Sequence, residues 1–337
     1  MLEYSQIEKY DPSGMHKVYD RWPEIAREAF ESNLEPTEFK DIDHIVFSGM
    51  GGSGAIGDLF LSVLSKTPIH VTIVKGYLLP KTVDSNTLVV ATSVSGNTIE
   101  TITTLESARN TKCKIICFSS GGKLKDFCNQ NNVEYRKIPI YNNPRTSFPA
   151  YVYSILKVLK SIVPIDEKSI EDSILQMEIL SQKISTKNLT DSNPSLILAK
   201  WITDIPIIYY PWGLQATAIR FKNSLQENAK NHAMIEDVIE ACHNGLVSWE
   251  KPSNVQPILL QGEDDYIKTK ERWQILKKYF ELNKIEYKEV FSVKGNILTK
   301  MISLIYLLDF VTIYKAILSK TNPGTIKSID FVKSMLK

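Results

Sequence analysis

Two short stretches of the sequence end in residue types that suit the binding of an anion. Residues 46–57 read Val-Phe-Ser-Gly-Met-Gly-Gly-Ser-Gly-Ala-Ile-Gly, and residues 89–98 read Val-Val-Ala-Thr-Ser-Val-Ser-Gly-Asn-Thr. Each is an apolar, strand-like run that breaks into glycine and serine and then opens a helix-like pattern. Backbone N–H groups and hydroxyls at helix N-termini bind anions well. Two such loops in one α/β unit predict a site for a phosphorylated small molecule.

The glycines of the first loop fit more than one kind of site. Gly49, Gly51 and Gly54 match the G-x-G-x-x-G spacing of a dinucleotide-binding loop. A dinucleotide site also needs an acidic residue at the end of the next strand, but that strand ends at Val74 and Lys75 follows it. The nucleotide interpretation is therefore weakened, and for this loop alone a plain strand-to-helix turn stays open.

The second loop favours a phosphate. Ser93, Ser95 and Thr98 surround Gly96 and Asn97, and Thr98 opens a helical pattern. A hydroxyl can also cap a helix, but one capping residue would be enough for that purpose. Three hydroxyls around a glycine suit the several acceptor oxygens of a phosphate. We therefore predict phosphate binding here, with simple capping as the alternative.

Strand and helix patterns alternate around these loops, which predicts an α/β fold with mainly parallel sheets flanked by helices. The predicted strands of the first half are 44–48, 69–74, 87–93, 114–118 and 135–138. Its predicted helices are 15–32, 55–65, 98–109, 124–131 and 151–162. The second half repeats the plan more loosely, with predicted strands 205–210, 256–261 and 287–292 and predicted helices 170–185, 214–228, 267–282 and 297–318. A polar segment after Pro164 places the predicted domain boundary, giving domains 1–163 and 164–337.

The sequence resembles a known family. The segment Ser-x-Ser-Gly-Asn-Thr after a strand resembles the SIS (sugar isomerase) domain, which binds phosphosugars. Three later segments resemble the archaeal bifunctional phosphoglucose/phosphomannose isomerases: 143–148, 220–230 and Cys242-His243-Asn244. The resemblance follows the motif order over nearly the whole chain, and it implies two SIS-type domains. The residues that it assigns to the substrate phosphate are Gly52, Ser53, Ser93, Ser95 and Thr98.

The resemblance also implies catalytic residues. Glu227 matches the carboxylate that moves a proton between C2 and C1 of the sugar, a task for a base tuned toward neutral pH. A surface glutamate paired with Lys230 or Lys222 is the alternative. Arg145 matches a guanidinium that stabilises the enediolate, with a surface salt bridge as the alternative. Lys333 resembles a family lysine that reaches the active site, whereas the threonine that the family places nearby is displaced by about one position.

His243 matches the histidine that opens the sugar ring in the family. An imidazole suits this role because it can move a proton near neutral pH. In the family this histidine comes from the partner subunit of a dimer. A solvated or capping histidine is the alternative. The family pattern is Asn-His-Asn-Glu, and this chain has glycine at position 245. We expect the acidic residue to be displaced, to Glu240 or Glu250.

Composition excludes several classes of protein. Lys and Arg number 40 against 38 Asp and Glu, which is too balanced for nucleic acid or an anionic membrane as the main partner. The four cysteines match no metal-binding spacing and are expected to be buried free thiols, as in a reducing cytoplasm. The histidines are too scattered for a metal site, and no G-x-x-x-x-G-K-[ST] loop occurs.

The apolar run 301–318 contains Asp309 and Lys315, which favours a buried core helix over a membrane span.

The resemblance thus implies a homodimeric isomerase that needs neither metal nor organic cofactor, and the cysteine content fits the cytoplasm. The reaction that the resemblance implies converts glucose 6-phosphate, and also mannose 6-phosphate, into fructose 6-phosphate through a cis-enediol(ate). Two alternatives stay open. One is a non-catalytic phosphosugar-binding regulator on the same fold, and the other is an SIS isomerase for another phosphosugar.

Overall fold

The computed structural model describes residues 2–336. In that range nine strands are numbered in chain order: β1 (His44–Ser48), β2 (His70–Val74), β3 (Thr87–Ser93), β4 (Lys114–Ser119), β5 (Glu134–Lys137), β6 (Ile205–Tyr210), β7 (Met234–Asp237), β8 (Val255–Gln261) and β9 (Lys288–Phe291). All pairings between neighbouring strands are parallel. The predicted α/β fold is confirmed.

The α-helices of the described residues are α1 (Tyr4–Tyr10), α2 (Met15–Asp20), α3 (Trp22–Phe30), α4 (Gly51–Leu64), α5 (Ile99–Arg109), α6 (Gly122–Asn131), α7 (Phe148–Val158), α8 (Glu167–Ile184), α9 (Pro194–Trp201), α10 (Gln215–Ser224), α11 (Val238–Ala241), α12 (Ile267–Leu282), α13 (Ile297–Leu318) and α14 (Lys327–Met335). Two 3₁₀ turns, Trp212–Leu214 and Gly245–Glu250, and a π-helix, Leu225–Ala229, complete them.

The chain forms two compact units. The first unit contains residues 21–175 and 296–299, and the second contains 1–20, 176–295 and 300–337. The domain boundary that the sequence predicts between residues 163 and 164 stays a prediction.

The first unit is built on a sheet of strand order β2-β1-β3-β4-β5. Strands β1 and β3 are buried at every position, as expected of central parallel strands that are covered on both faces. This arrangement fixes where the two glycine loops lie. Because the strands are parallel neighbours, the loops after β1 and β3 emerge at the same edge of the sheet.

The second unit has a sheet of order β7-β6-β8-β9. One apolar cluster of this unit centres on Tyr209, Trp273 and Phe280, all almost fully buried. Burial raises the pKa of the Tyr209 hydroxyl to about 12, and that hydroxyl accepts a hydrogen bond from Trp249 Nε1 at 2.9 Å. Helix α13 is long and apolar enough to cross a membrane, but 83% of its most apolar window is buried inside the protein, as in a core helix.

The single helix predicted over 15–32 is wrong. The segment forms α2 and α3, which are separated at Arg21, where φ is −97° and ψ is 8°. Pro23 lies in the first turn of α3, where its missing N–H costs nothing, whereas inside one continuous helix it would break a hydrogen bond. The strand β7 was also not predicted.

The four cysteines are free, as predicted. Cys117 and Cys128 are buried, and Cys113 and Cys242 are partly exposed. Burial is the largest influence on Cys117 and raises the pKa of its thiol. A buried thiol that resists ionisation behaves as a small apolar side chain.

Candidate functional site

The first glycine loop brings the bare start of a helix to the edge of the first sheet. Strand β1 ends at Ser48, and α4 begins at Gly51, where φ is +53°. The residue before the helix, Met50, has an extended backbone and no side-chain oxygen with which to cap it. The N-terminal N–H groups of α4 are therefore not satisfied by a capping side chain, and an anion can take that role.

Gly52 lies against the loop that carries Arg145. A Cβ built on Gly52 would lie 3.4 Å from the carbonyl oxygen of Pro144 and 3.7 Å from the Cα of Arg145. The structure therefore brings these two predicted site residues together, with the glycine packed against backbone. A larger residue at position 52 would press on the Arg145 loop.

Ser53 joins the two glycine loops. Its side chain is 7% exposed, and its Oγ accepts a hydrogen bond from the N–H of Val94 at 3.3 Å. Since Val94 follows directly after β3, the hydroxyl predicted to bind phosphate also fixes the distance between the loops.

In the second loop the hydroxyls of Ser93 and Thr98 contact each other, and the hydroxyl of Thr98 does not cap α5. Ser93 Oγ and Thr98 Oγ1 lie 2.9 Å apart, and Thr98, at the N-cap of α5, makes no side-chain hydrogen bond to that helix. Ser95 is exposed, and its Oγ accepts the N–H of Asn97 at 3.3 Å. The capping alternative is therefore not how Thr98 is used.

Gly96 lets the second loop touch a third one. Its φ is +70°, and a Cβ built there would lie only 1.7 Å from the carbonyl oxygen of Gly121. The carbonyl of Gly96 also accepts the N–H of Leu124 at 2.8 Å. Two backbones therefore cross at this point with no room for a side chain.

Arg145 sits in a loop that its own backbone contacts hold in place. Its side chain is 6% exposed. Asn143 Oδ1 accepts the N–H of Arg145 at 3.0 Å and that of Thr146 at 3.3 Å, and Trp22 Nε1 donates to the carbonyl of Thr146 at 2.9 Å. The backbone that carries the Arg145 guanidinium is therefore held in place.

Lys75 follows the strand at whose end a dinucleotide site would need an acidic residue. The lysine has a structural partner that was not predicted. Its Nζ donates to Asp58 Oδ1 at 2.7 Å, and Asp58 lies buried on α4. A Cβ built on Gly54 would lie 3.1 Å from Lys75 Cε. The lysine therefore packs along the start of α4 and links it to the end of β2.

In the second unit Glu227 lies in a π-helix. The helix predicted over 214–228 forms, but its last turn, Leu225–Ala229, is wound as a π-helix, and Glu227 is half-buried there. Single π turns inside helices occur frequently at functional sites, because the extra residue changes the direction of the side chains.

A buried polar network lies beside this turn and ties it to α13. Arg220 Nη2 donates to Asp309 Oδ2 at 2.6 Å, and Ser224 Oγ donates to Asp309 Oδ1 at 2.9 Å. Asn228 Nδ2 donates to Thr312 Oγ1 at 2.8 Å. Arg220 and Asp309 are 3% and 0% exposed, and removing one partner of such a pair typically costs about 3–5 kcal/mol.

His243 is exposed just after the short helix α11. Asp237 caps that helix, because its Oδ1 accepts the N–H of Ile239 at 2.8 Å. The N–H of His243 donates to the carbonyl of Glu240 at 2.8 Å, which fixes the backbone while the imidazole stays at the surface.

Gly245, two residues after the histidine, packs against an acidic residue of the strand that was not predicted. A Cβ built on Gly245 would lie 2.2 Å and 2.4 Å from the two carboxylate oxygens of Glu236, on β7. Glu240 Oε1 accepts Asn244 Nδ2 at 2.6 Å, and whether Glu240 or Glu250 replaces the acidic residue of the family pattern stays a prediction. Burial, followed by repulsion from Glu240 and Asp237, raises the pKa of Glu236.

Lys333 lies on α14, where no residue is buried. Its role stays a prediction, as do the roles of the other site residues. The structure groups Gly52, Ser53, Ser93, Ser95, Thr98 and Arg145 in the first unit, and it places Glu227, His243 and Lys333 in the second.

Replacing Gly96 by alanine is expected to lower the free energy of unfolding by about 2 kcal/mol or more, because the new Cβ meets backbone at a positive φ. Chemical denaturation measures the change, and titration with inorganic phosphate should show weaker binding. Gly76→Ala is the matched control, because a Cβ there meets nothing within 4 Å. Equal behaviour of the two variants would contradict the crossing of the loops.

Glu236→Gln is expected to raise the melting temperature at pH 7 and to lose that gain as the pH falls toward 4. A carboxyl whose pKa is raised on folding favours the folded state fully only below its unfolded pKa, and its charged form opposes folding at higher pH. Thermal denaturation at both pH values measures this. Glu250→Gln, at an exposed position, should change little, and a loss of stability in Glu236→Gln at pH 7 would refute the expectation.

Comparison with known proteins gives matches over both halves of the chain. Residues 38–133 match the family model described as the SIS domain, and residues 191–336 match the model described as the bacterial phospho-glucose isomerase C-terminal SIS domain. The first range contains the two glycine loops, and the second contains Glu227, His243 and Lys333. Arg145 lies outside both.

Individual proteins agree with these matches. The chain is 32% identical over 331 residues to a bifunctional phosphoglucose/phosphomannose isomerase from Caldicellulosiruptor bescii, covering 93% of this chain and 96% of that protein. It is 29% identical over 254 residues to a D-glucosamine-6-phosphate 4-epimerase from Sulfolobus acidocaldarius, covering 74% and 78%. A hypothetical protein from Thermus thermophilus has the same fold, with a TM-score of 0.74 at 14% identity, covering 98% of this chain and 92% of that one.

Proposed function

The chain belongs to the family of bifunctional phosphoglucose/phosphomannose isomerases, and on that premise we propose that it interconverts glucose 6-phosphate and mannose 6-phosphate with fructose 6-phosphate. The observation that carries the proposal lies in the first unit. The uncapped starts of α4 and α5 follow neighbouring parallel strands, and the hydroxyls of Ser53, Ser93 and Thr98 surround them. This is the arrangement that a sugar phosphate needs at its charged end.

One base can serve both sugars because their difference disappears during the reaction. Glucose 6-phosphate and mannose 6-phosphate differ only in configuration at C2. When the carboxylate of Glu227 removes the proton from C2, that electron pair forms the C1–C2 double bond, and the C1 carbonyl oxygen takes up the negative charge. Both sugars then give the same planar cis-enediolate. The C2 hydroxyl gives its proton to the C1 oxygen, the C2–O bond becomes the new carbonyl, and the double-bond electron pair takes the proton back from Glu227 at C1, which gives fructose 6-phosphate.

The other proposed roles follow the charges of the reaction. Arg145 stabilises the enediolate oxygens, which is a task for a fixed cation. His243 transfers a proton between the ring oxygen and the C1 hydroxyl, so that the ring opens before C2 is attacked. Lys333 adds positive charge near the substrate. The proposal assigns the whole reaction to side chains and therefore includes neither metal nor organic cofactor.

The proposed enzyme is a homodimer in which His243 serves the site of the partner subunit. The support for this assignment is the match of His243 to the family histidine that comes from the partner subunit, and the exposed imidazole leaves it accessible to a second subunit. We further propose that it acts in the cytoplasm, in glycolysis or gluconeogenesis, since its substrates are hexose phosphates. Neither nucleic acid nor a membrane is part of the proposal.

A different activity on a related phosphosugar is the second candidate. The similarity to a D-glucosamine-6-phosphate 4-epimerase supports it, because that protein also acts on a hexose 6-phosphate. A non-catalytic regulator is the third candidate. It would need the phosphate loops but not Glu227, which the chain retains on a π-helix.

The wild-type protein is expected to form fructose 6-phosphate from glucose 6-phosphate and from mannose 6-phosphate after treatment with EDTA. Glu227→Gln should lower kcat on both sugars by about 10²–10⁴, the range typical of a positioned base, because an amide cannot accept the C2 proton. Coupled assays measure both rates, and glucosamine 6-phosphate tests the second candidate. A folded wild-type protein that binds the sugars without turnover would favour the regulator.

Mixing two inactive variants tests the origin of His243. If the histidine acts across a symmetric dimer, subunits carrying Glu227→Gln and His243→Ala should restore about a quarter of the wild-type activity after unfolding and refolding together, because half of the dimers are mixed and each mixed dimer has one intact site. Each variant refolded alone is the control. No restored activity, with mixed dimers shown by mass spectrometry, would place both residues in one subunit.

A further inference from the structure

Lys230, which follows the π-helix, contacts three backbone carbonyls at once. Its Nζ donates to the carbonyl of Glu227 at 2.6 Å, to that of Thr325 at 2.8 Å and to that of Asn322 at 3.2 Å. An ammonium carries three N–H donors, so three carbonyls match its capacity. These contacts join the turn of Glu227 to a segment that lies more than ninety residues further along the chain.

The backbone of Lys230 is shaped for this contact. Its φ is +58° and its ψ is 27°, a left-handed conformation that is uncommon for a residue with a side chain. The N–H of Lys230 and that of Asn231 both donate to the carbonyl of Leu225, which closes the π-helix. The chain reverses here, and the lysine side chain reaches back to the carbonyl of Glu227.

The segment at the other end of the contact is itself ordered. Asn322 Oδ1 accepts the N–H of Gly324 at 2.8 Å, and Thr325 Oγ1 donates to the carbonyl of Asn322 at 3.1 Å. This turn precedes α14, and Pro323 within it is buried. Lys230 is therefore attached to a formed turn rather than to a loose end.

We propose that Lys230 is a positioning residue for Glu227, holding the π-helix against the turn 322–325 so that the carboxylate keeps a fixed place for proton transfer. This rests on the proposed function of Glu227. Lys230 itself is exposed, while the Arg220–Asp309 pair and the Asn228–Thr312 contact join α10 and the π-helix to α13. Loss of the ammonium should therefore loosen the turn without unfolding the unit.

The first experiment compares Lys230→Met, which keeps the length of the side chain, with Lys230→Arg and with Lys200→Met, a surface control whose lysine pairs with Asp191. Lys230→Met is expected to lower kcat about 10- to 100-fold, as small misplacements of catalytic groups do, with KM changed less than about threefold. Lys230→Arg should recover part of kcat, because it keeps the charge and the donors. Lys200→Met should behave as wild type. The melting temperature of Lys230→Met should stay near the wild-type value.

Two further measurements separate this inference from the proposed function. In the Glu227→Gln background, adding Lys230→Met should lower the residual rate by less than about twofold, because a positioning residue acts only through the base. Independently of activity, hydrogen exchange of peptides covering 225–231 and 321–326 should be faster in Lys230→Met than in Lys200→Met.

Each result has a definite meaning. Wild-type kcat in Lys230→Met, beside an inactive Glu227→Gln, would overturn the positioning role and leave the proposed function standing. A falling melting temperature with equal loss of activity in Lys230→Met and Lys230→Arg would also overturn it, since the lysine would then be structural. A wild-type protein with no turnover of either sugar would overturn both proposals.

Discussion

The close crossing of backbones at Gly96 and Gly121 is the constraint on which the first unit depends. It holds the loop after β3 against the loop after β4, and the hydrogen bond from Leu124 to the carbonyl of Gly96 prevents the two from separating. The N–H of Val94 then binds Ser53 and sets the position of α4. Gly52 packs against the Arg145 loop in turn. The loops of the proposed phosphate site are therefore held to one another by backbone contacts and by the hydroxyl of Ser53.

The second unit holds its proposed catalytic carboxylate in a different way. The carboxylate that we propose as the base must be reachable yet fixed, and the chain places it on a π-helix whose inner residues are buried. Beside that helix the buried Arg220–Asp309 pair resists shear because an unpaired charge there would be costly. The first unit thus depends on glycines at the point where two loops meet, whereas the second unit depends on a buried pair of charged side chains.

Much of the fold could be predicted because the central strands carry strong patterns. The strands His44–Ser48, Thr87–Ser93 and Ile205–Tyr210 agree residue for residue with the apolar runs that predicted them, and so does helix Ile297–Leu318. Their burial on both faces leaves continuous apolar sequences. Strand Met234–Asp237 escaped prediction because it lies at the edge of its sheet and carries two acidic residues.

The candidate site was less open to prediction from sequence. The serines and glycines of the two loops are recognisable, since few other roles need that composition. The π winding at Leu225–Ala229 gives no such signal in the sequence, and its contact with α13, between Asn228 and Thr312, forms only in the folded chain. The pairing of Lys75 with Asp58 and the place of Glu236 beside Gly245 likewise depend on residues that meet only in the folded chain.

Neither compact unit is a continuous piece of chain, and this bears on how the protein is made. The second unit contains residues 1–20, which are synthesised before the main segment of the first unit, yet the rest of the second unit begins at residue 176. The first unit contains residues 296–299, which are synthesised after most of the second. Tyr306 donates to the carbonyl of Tyr19 at 2.9 Å, so helix α2 finds this partner only after residues 21–305 have been synthesised. The segment 1–20 therefore cannot complete its unit until the whole of 21–175 has been made, and the two units cannot simply fold one after the other in chain order.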